Sequence, residues 1–557
     1  MSAVFVCSFS VRRIGFALAA AFLAYGAVAA EPLPIDWPKE RKKVVAFGWE
    51  WADICGQSPE LLHKYADKIG ASGIDGVSLY IYCKDADGKG FRSSQVIDGV
   101  EFTDAALSGQ VETYRKALAH KGMRESFIRT LGAPKKRVDW KDDAHWAKVS
   151  RSMAALARFA KATGVRGFIV DPEDYHKQNQ FEARPDDEPY DLLAPLARRR
   201  AREIFSAVFR EYPDIVVFGY WLFSWHPQHV SSENPMMSAR SAGDLWPAFI
   251  NGILDVIPPK AKLVDGDEWS YEAKASKNEF MISGLSQRNA VMGLVAPENR
   301  AKFRAQAHPG FGLYLDSYVM APTNASGKAN HYYFGPENGS RRGHFERNLS
   351  EALDAAGEYI WLWCERNAWV KWGDEVKKPW HTKKSGEWRT WEECLPGLAR
   401  TIRVCADPEA FLAGDCRAMI DEGKIVNIAT NDYVAASHFA LHGKHDKKDE
   451  SHKGPGYFHV EDPTAKPGEH YVVAASGTGE GLEAIVYWQQ RKGGGWWRWR
   501  IPGHGLALKK GEDGRYRAKA VVRVPEGTDC LALRLKLHPP KGQECAFDKI
   551  FVGRIAY

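Results

Sequence analysis

The stretch Gly164–Gln178, GVRGFIVDPEDYHKQ, sets a short apolar run directly against three carboxylates and a tyrosine. A run of this length, opened by glycine and closed by polar residues, reads as a buried strand. Acids crowded at its end either decorate a solvated turn or do chemistry, and the surrounding sequence decides which. Seven further runs read the same way: KVVAFGW (43–49), GVSLYIY (76–82), MRESFI (123–128), DIVVFGYW (214–221), AKLVDG (261–266), FGLYLD (311–316) and EYIWLW (358–363). Between them lie helical patterns such as 58–71, 146–164 and 192–212, with apolar residues three and four apart and Ser-Pro or Gly at the borders. Alternating strand and helix predict a parallel sheet, and eight units between about residues 42 and 405 predict a closed (β/α)8 barrel, the TIM-barrel plan. An open doubly wound sheet is the alternative, but no GxGxxG fingerprint follows an early strand, which counts against its dinucleotide-binding form.

After Cys405 the helical period fades, and HGKHDKKDESHKGPG (442–456) forms a charged loop. Short alternating runs follow at 470–476, 483–490, 496–501, 516–524, 530–537 and 547–555, separated by turn residues. They predict an all-β sandwich or jelly roll, and IVNIATNDYV (425–434) and FDKIFVGRI (547–555) resemble the first and last strands of jelly-roll modules appended to carbohydrate-active enzymes. The expected organisation is a leader at 1–30, the barrel at 31–410, a linker at 411–424 and the sandwich at 425–557.

The leader reading rests on two arginines, an apolar stretch and small residues at a cleavage position, VRRIGFALAAAFLAYGAVAA (11–30), the pattern of a secretory signal peptide. It implies a secreted or periplasmic protein with no stable membrane insertion after cleavage. The formal net charge of +6 falls by two when Arg12 and Arg13 leave, too mild a balance to point to nucleic acid. Hydrophobic residues at 45% and charged residues at 26% describe a globular chain rather than a disordered one. The unusual feature is 20 Trp and 21 Tyr, which suit either a large core or platforms for sugar rings. Among the nine cysteines, Cys55 with Cys83 and Cys530 with Cys545 are the expected disulfides.

Barrel active sites lie at the C-terminal ends of the strands. Here those ends carry Trp49, Glu50 and Trp51; Tyr80; Arg129; Asp171, Glu173 and Tyr175; Trp221 and His226; Asp267, Glu268 and Trp269; Asp316 and Tyr318; and Trp363, Glu365 and Arg366. Carboxylates interleaved with indoles suit glycosidic-bond cleavage. That reaction needs one carboxylic acid to protonate the leaving oxygen and one carboxylate as base or nucleophile. No cofactor is expected, and the expected partner is a poly- or oligosaccharide.

GFIVDPEDY resembles the strand-four signature of chitinase-type glycoside hydrolases, in which Asp-x-Glu at the strand end supplies the general acid, here Asp171 and Glu173. Ile169 stands where that family carries an earlier Asp, a departure that weakens the case for substrate-assisted chemistry on an N-acetyl sugar. The wider resemblance is to exported bacterial barrel proteins described only as glycosidases, which fixes no substrate. On this reading Glu173 is the acid/base, Asp171 and Tyr175 hold its proton, and Asp316, Asp267, Glu268 and Glu365 compete for the second role. Asp265 reads equally well as a loop cap.

Two rival readings stand beside it. His226 and His229, with Asp171 or Asp265, would hold a divalent metal for hydrolysis or deacetylation. A non-catalytic protein would hold glycan on indole platforms, among them Trp497 and Trp499 of GGGWWRWR. Arg129, Arg366 and Lys371 would either engage an acidic sugar or pair with the neighbouring acids.

Overall fold

The computed structural model describes residues 41–48, 58–85, 87–324, 326–376, 389–430, 457–492, 496–538 and 545–557, and at 457–459, 491–492 and 496–504 the backbone alone. Arg41–Tyr557 form one compact unit. The barrel staves are β1 (Lys43–Gly48), β2 (Gly76–Leu79), β3 (Phe127–Arg129), β4 (Gly167–Val170), β5 (Val216–Gly219), β6 (Lys262–Asp265), β7 (Ala307–Pro309), β8 (Phe311–Tyr314) and β9 (Tyr359–Cys364). All pair in parallel, and β1 closes the ring by pairing with both β2 and β9.

Nine strands make eight staves because the seventh is split at Gly310. Its first half, β7, pairs with β6, and its second half, β8, pairs with β9. A Cβ at Gly310 would stand 2.9 Å from Val264 Cγ1 and 3.2 Å from the Tyr359 carbonyl, so glycine lets the chain change partners there.

The strands read as continuous apolar runs because both faces are buried. Along β1, Val45 and Phe47 fill the barrel interior while Val44 and Ala46 pack against the helices. The period of two carries through every stave. Phe47 meets Phe218 and Trp361 at centroid distances of 5.4 and 5.7 Å, and Phe127 meets Tyr359 at 5.5 Å. On β4, Ile169 points inward, so Asp171 two residues on shares its side of the strand.

The outer layer includes α1 (Pro59–Ala71), α2 (Asp143–Thr163), α3 (Tyr190–Glu211), α4 (Trp246–Val256), α5 (Glu279–Arg288) and α6 (Arg341–Ala355). Helix α2 begins three residues before the expected Trp146 because Asp142 caps it, accepting from His145 N at 2.9 Å, and it stops at Gly164 with φ +83°.

C-terminal to the barrel, β10 (Tyr457–Asp462), β11 (His470–Thr478), β12 (Leu482–Lys492), β13 (Trp496–Leu506), β14 (Tyr516–Arg523), β15 (Cys530–Leu537) and β16 (Ala546–Arg554) form two four-stranded antiparallel sheets, one of them completed by Lys509–Lys510. One core holds residues of both, including Val486, Trp488 and Leu533 from one and Tyr471, Val473 and Val552 from the other. Helix α6 meets this region through a buried pair, His470 Nδ1 to Glu346 Oε1 at 2.7 Å, and through Arg347 with Glu526.

Three expectations need correction. Residues 411–424 are no plain linker: the turns Pro408–Ala413 and Asp415–Asp421 are helical, and Phe411, Cys416 and Met419 pack on Ile425, Val472 and Ile555. In place of a strand across 425–434, Ile425 bridges Ile555, Ile428–Thr430 is a helical turn, and 431–434 lie outside the described residues. No disulfide joins Cys530 to Cys545, and the expected hairpin is absent: Cys530 opens β15, and Cys545 precedes β16 in the opposite sheet. Cys83 is a free thiol facing the Ala106 carbonyl at 3.7 Å, and Cys55 lies outside the described residues, as do the side chains of Trp497 and Trp499. Among the described residues no helix is long and apolar enough to cross a membrane.

Phe47 is fully buried at the centre of the barrel. Phe47→Ala is expected to lower stability by about 3–5 kcal/mol in urea unfolding; a change below about 1 kcal/mol would mean that the interior is not packed as described.

Candidate active site

Inward parity continues past the strand ends and assembles the mouth of the barrel. Arg129 follows Phe127, Asp171 follows Ile169, Tyr220 follows Phe218 and Trp363 follows Trp361, each two residues on, and Glu365 comes two residues after Trp363. Arg129 is buried and pairs with Asp171, Nη2 to Oδ2 at 3.3 Å. Its guanidinium lies 5.1 Å from the Tyr80 ring, 5.2 Å from Tyr220 and 5.5 Å from Trp363, an aromatic cage that holds the cation in place.

The turn after β4 is built by its own acids. Asp171 Oδ1 accepts from Glu173 N at 3.0 Å, and Asp174 Oδ1 accepts from His176 N at 2.9 Å. Glu173 accepts from the hydroxyl of Tyr175, which is 78% exposed. Burial, and then the Asp171 charge, push Glu173 up from 4.5 to about 7. Burial raises Asp171 too, with Arg129 opposing it.

Glu268 joins this group from the segment after β6. Burial raises it well above the usual carboxylate range, and the charges of Glu173 and Asp171 add to the rise. Its Oε2 is buried and takes no hydrogen bond. Glu365 accepts from the Tyr314 hydroxyl and Trp363 Nε1, both at 3.0 Å. Asp316 is fully buried, which pushes it to about 7; its Oδ2 accepts from Glu365 N at 2.8 Å, with Arg366 Nε 3.9 Å from Oδ1. The Tyr332 hydroxyl is raised by burial and then by the charges of Glu272, Glu268, Glu173 and Glu365. Trp269, 56% exposed, continues the wall toward Trp221 at 5.9 Å and donates to the Trp225 carbonyl at 3.3 Å.

The remaining candidates go elsewhere. Tyr318 is buried against Phe334 and Phe345, with its hydroxyl accepting from Asn348 at 2.8 Å, so it is a packing residue and not a sugar contact. Asp267 is buried at a φ of +41°, its Oδ2 held by Ser283 and by Gln287 at 3.2 Å. Asp265 clamps the loop after β5, accepting from Leu222 N at 2.9 Å and Ser224 N at 3.0 Å. With Asp171 on Arg129 and Asp265 on that loop, neither joins His226 and His229, which face Asp244. Trp49, Glu50 and Trp51 lie outside the described residues. Tyr220, Tyr314 and Tyr332 were not anticipated, although inward parity marks Tyr220 and Tyr314 in the sequence.

No model of a known protein family matches the chain, and no curated protein matches it. Solved structures that match include a GH18 chitinase from Pseudoalteromonas aurantia, at 13% identity over 58% of this chain and 93% of that one, with a TM-score of 0.28. Another is GH5_18 from Streptomyces cattleya in complex with GlcNAc, at 10% identity over 65% and 79%, TM-score 0.35. A third is D-psicose 3-epimerase with D-tagatose from Clostridium cellulolyticum H10, at 9% identity over 66% and 97%, TM-score 0.32. Hydrolase and epimerase appear alike, so these matches assign no activity.

A carboxyl group raised by folding makes stability depend on pH. The folded chain holds the Glu173 proton more tightly than the unfolded chain does, so its contribution is complete below about 4.5 and is lost as pH rises through about 7. Glu173→Gln is therefore expected to be more stable than the parent by about 1–3 kcal/mol at pH 8 and equal to it near pH 4. Equal stability at both pH values would show that Glu173 is not raised.

Proposed function

We propose that this chain is a glycoside hydrolase in which Glu173 is the general acid and Glu268 the second carboxylate. The observation that carries the reading is that acids of two staves gather around one caged cation: Asp171, which accepts from Glu173 N, pairs with Arg129, and Trp363 of the cage donates to Glu365; burial and the Asp171 charge raise Glu173 beside them. Burial and the charges of neighbouring acids raise both Glu173 and Glu268, so neither ionises cheaply. Cleavage needs one of the pair protonated and one ionised, and Glu268 takes the second role once it has given up its proton. Glu173 protonates the leaving oxygen, and Glu268 meets the developing oxocarbenium ion as nucleophile or through a water.

Glu268 is preferred to Glu365 because both Glu365 oxygens are bonded, to Tyr314 and Trp363; Glu268 Oε2 and Asp316 Oδ1 are alike without a hydrogen bond, and of these two it is Glu268 that the Glu173 charge raises. Asp171 and Arg129 act through Glu173 as positioning residues. Tyr175, Trp269 and Tyr332 offer ring faces to a saccharide, and the buried Trp221 backs Trp269. On the strength of residues 11–30 we place the enzyme outside the cytoplasm, and we take 425–557 as its accessory sandwich domain.

A panel of oligosaccharides and aryl glycosides tests the activity. On whichever substrate is cleaved, Glu173→Gln is expected to lower kcat by about 10²–10⁴-fold with the fold intact; undiminished turnover would remove Glu173 from the mechanism. Binding of glycans without product release would replace catalysis by a carbohydrate-binding role.

The acid must be protonated to work, so kcat/KM is expected to fall as pH rises through about 7. Asp171→Asn removes a charge that raises Glu173, and is expected to move that basic limb to lower pH; an unmoved limb would break the coupling claimed here.

A further inference from the structure

The helical turn Pro227–Val230 brings His226 and His229 to one side of the loop after β5, facing Asp244 ahead of α4. His226 Nε2 stands 3.2 Å from Asp244 Oδ2, and His229 Nε2 stands 3.3 Å from the same oxygen. His229 and Asp244 are 1% and 3% exposed, yet His229 Nε2 and Asp244 Oδ2 make no hydrogen bond. Leaving two such atoms buried and unsatisfied is costly unless something else binds them.

The far side of each buried residue is already fixed. His229 Nδ1 lies 2.8 Å from Ser238 Oγ, and Asp244 Oδ1 accepts from Trp246 N at 3.0 Å. His226 Nδ1 lies 3.0 Å from the Gln228 side-chain amide. Outer partners of this kind set a metal ligand's tautomer and aim its free atom. The two distances to Asp244 agree with this, since ligand atoms bound to one tetrahedral ion at ordinary Zn–N and Zn–O lengths stand about 3.4 Å apart, and all three ligand atoms lie within 4.8 Å of one another.

We propose that His226, His229 and Asp244 form a binding site for a divalent transition metal of the zinc class, separate from the acids of the mouth. Two imidazoles and one carboxylate suit zinc better than calcium or magnesium, which favour all-oxygen shells. Water completes the fourth position. The ion fastens two parts of the β5–α4 connection together. His226 and His229 belong to the loop that carries Trp221 and Trp225, while Asp244 belongs to a stretch joined to the segment after β4, with Ala183 N donating to the Gly243 carbonyl at 2.7 Å and Leu245 N to the Phe181 carbonyl at 2.8 Å. The site goes beyond the glycosidase reading and does not depend on it.

The test uses the untagged full chain, dialysed against a chelator and titrated with Zn²⁺, Mg²⁺ and Ca²⁺ by calorimetry and thermal unfolding. The expected result is one tight Zn²⁺ per chain with a raised unfolding temperature, and no such response to Mg²⁺ or Ca²⁺. Ser238→Ala, which leaves all three ligands in place, is expected to weaken Zn²⁺ by about 10–100-fold. His226→Gln, at a partly exposed position, is expected to abolish the tight site while the circular dichroism spectrum stays that of the parent. The proposal is overturned if the folded parent takes up no Zn²⁺, or if His226→Gln and Asp244→Asn bind it as the parent does. No readout involves a sugar, so either result leaves the assignment of Glu173 and Glu268 untouched.

Discussion

The ion pair between Arg129 and Asp171 is the interaction on which the mouth of the barrel depends. Burying Asp171, Glu173 and Glu268 together without a cation would drive all three to their neutral forms, and a site of three neutral acids has no base. Arg129 offsets one negative charge, so that Asp171 can stay ionised while burial and neighbouring charge raise Glu173 and Glu268. The cation is itself buried, at a cost that the pair recovers only if its geometry is held. The rings of Tyr80, Tyr220 and Trp363 hold it, each delivered by a different stave.

That arrangement follows from strand parity in a closed ring. The same alternation that sends Phe127, Ile169, Phe218 and Trp361 into the barrel interior sends Arg129, Asp171, Tyr220 and Trp363 to its rim. Packing and chemistry are therefore two stretches of one pattern, with aromatic residues filling the barrel where it is dry and ionisable residues taking over where it opens. A shift of one residue in any stave would turn its rim residue into the helix layer.

Much of this was legible in the sequence, because buried parallel strands announce themselves as apolar runs and all eight expected runs hold staves. Glu173, Asp171, Arg129 and Glu268 were legible for the same reason, since each sits at or just past a strand end. What escaped has physical causes. The split of the seventh stave depends on space around Gly310 that only the assembled neighbours define. Tyr332 comes from a long loop without periodicity, and Asp244 meets His226 and His229 only through tertiary folding. Tyr318 misled because a tyrosine one turn past a strand end serves equally well as a wall of the mouth or as core, and Asn348 decides for the core. The helices at 408–421 are too short for their period to stand out, and packing against Val472 and Ile555 holds them.

The central claim, that folding holds a proton on Glu173 near neutrality because of its buried acidic neighbours, is tested most directly by titrating that carboxyl group itself. Carbon-13 NMR of the chain labelled at glutamate side-chain carboxyls, with Glu173→Gln to assign the resonance, reads its protonation as pH changes. The account requires a midpoint near 7. A midpoint near 4.5 would contradict it.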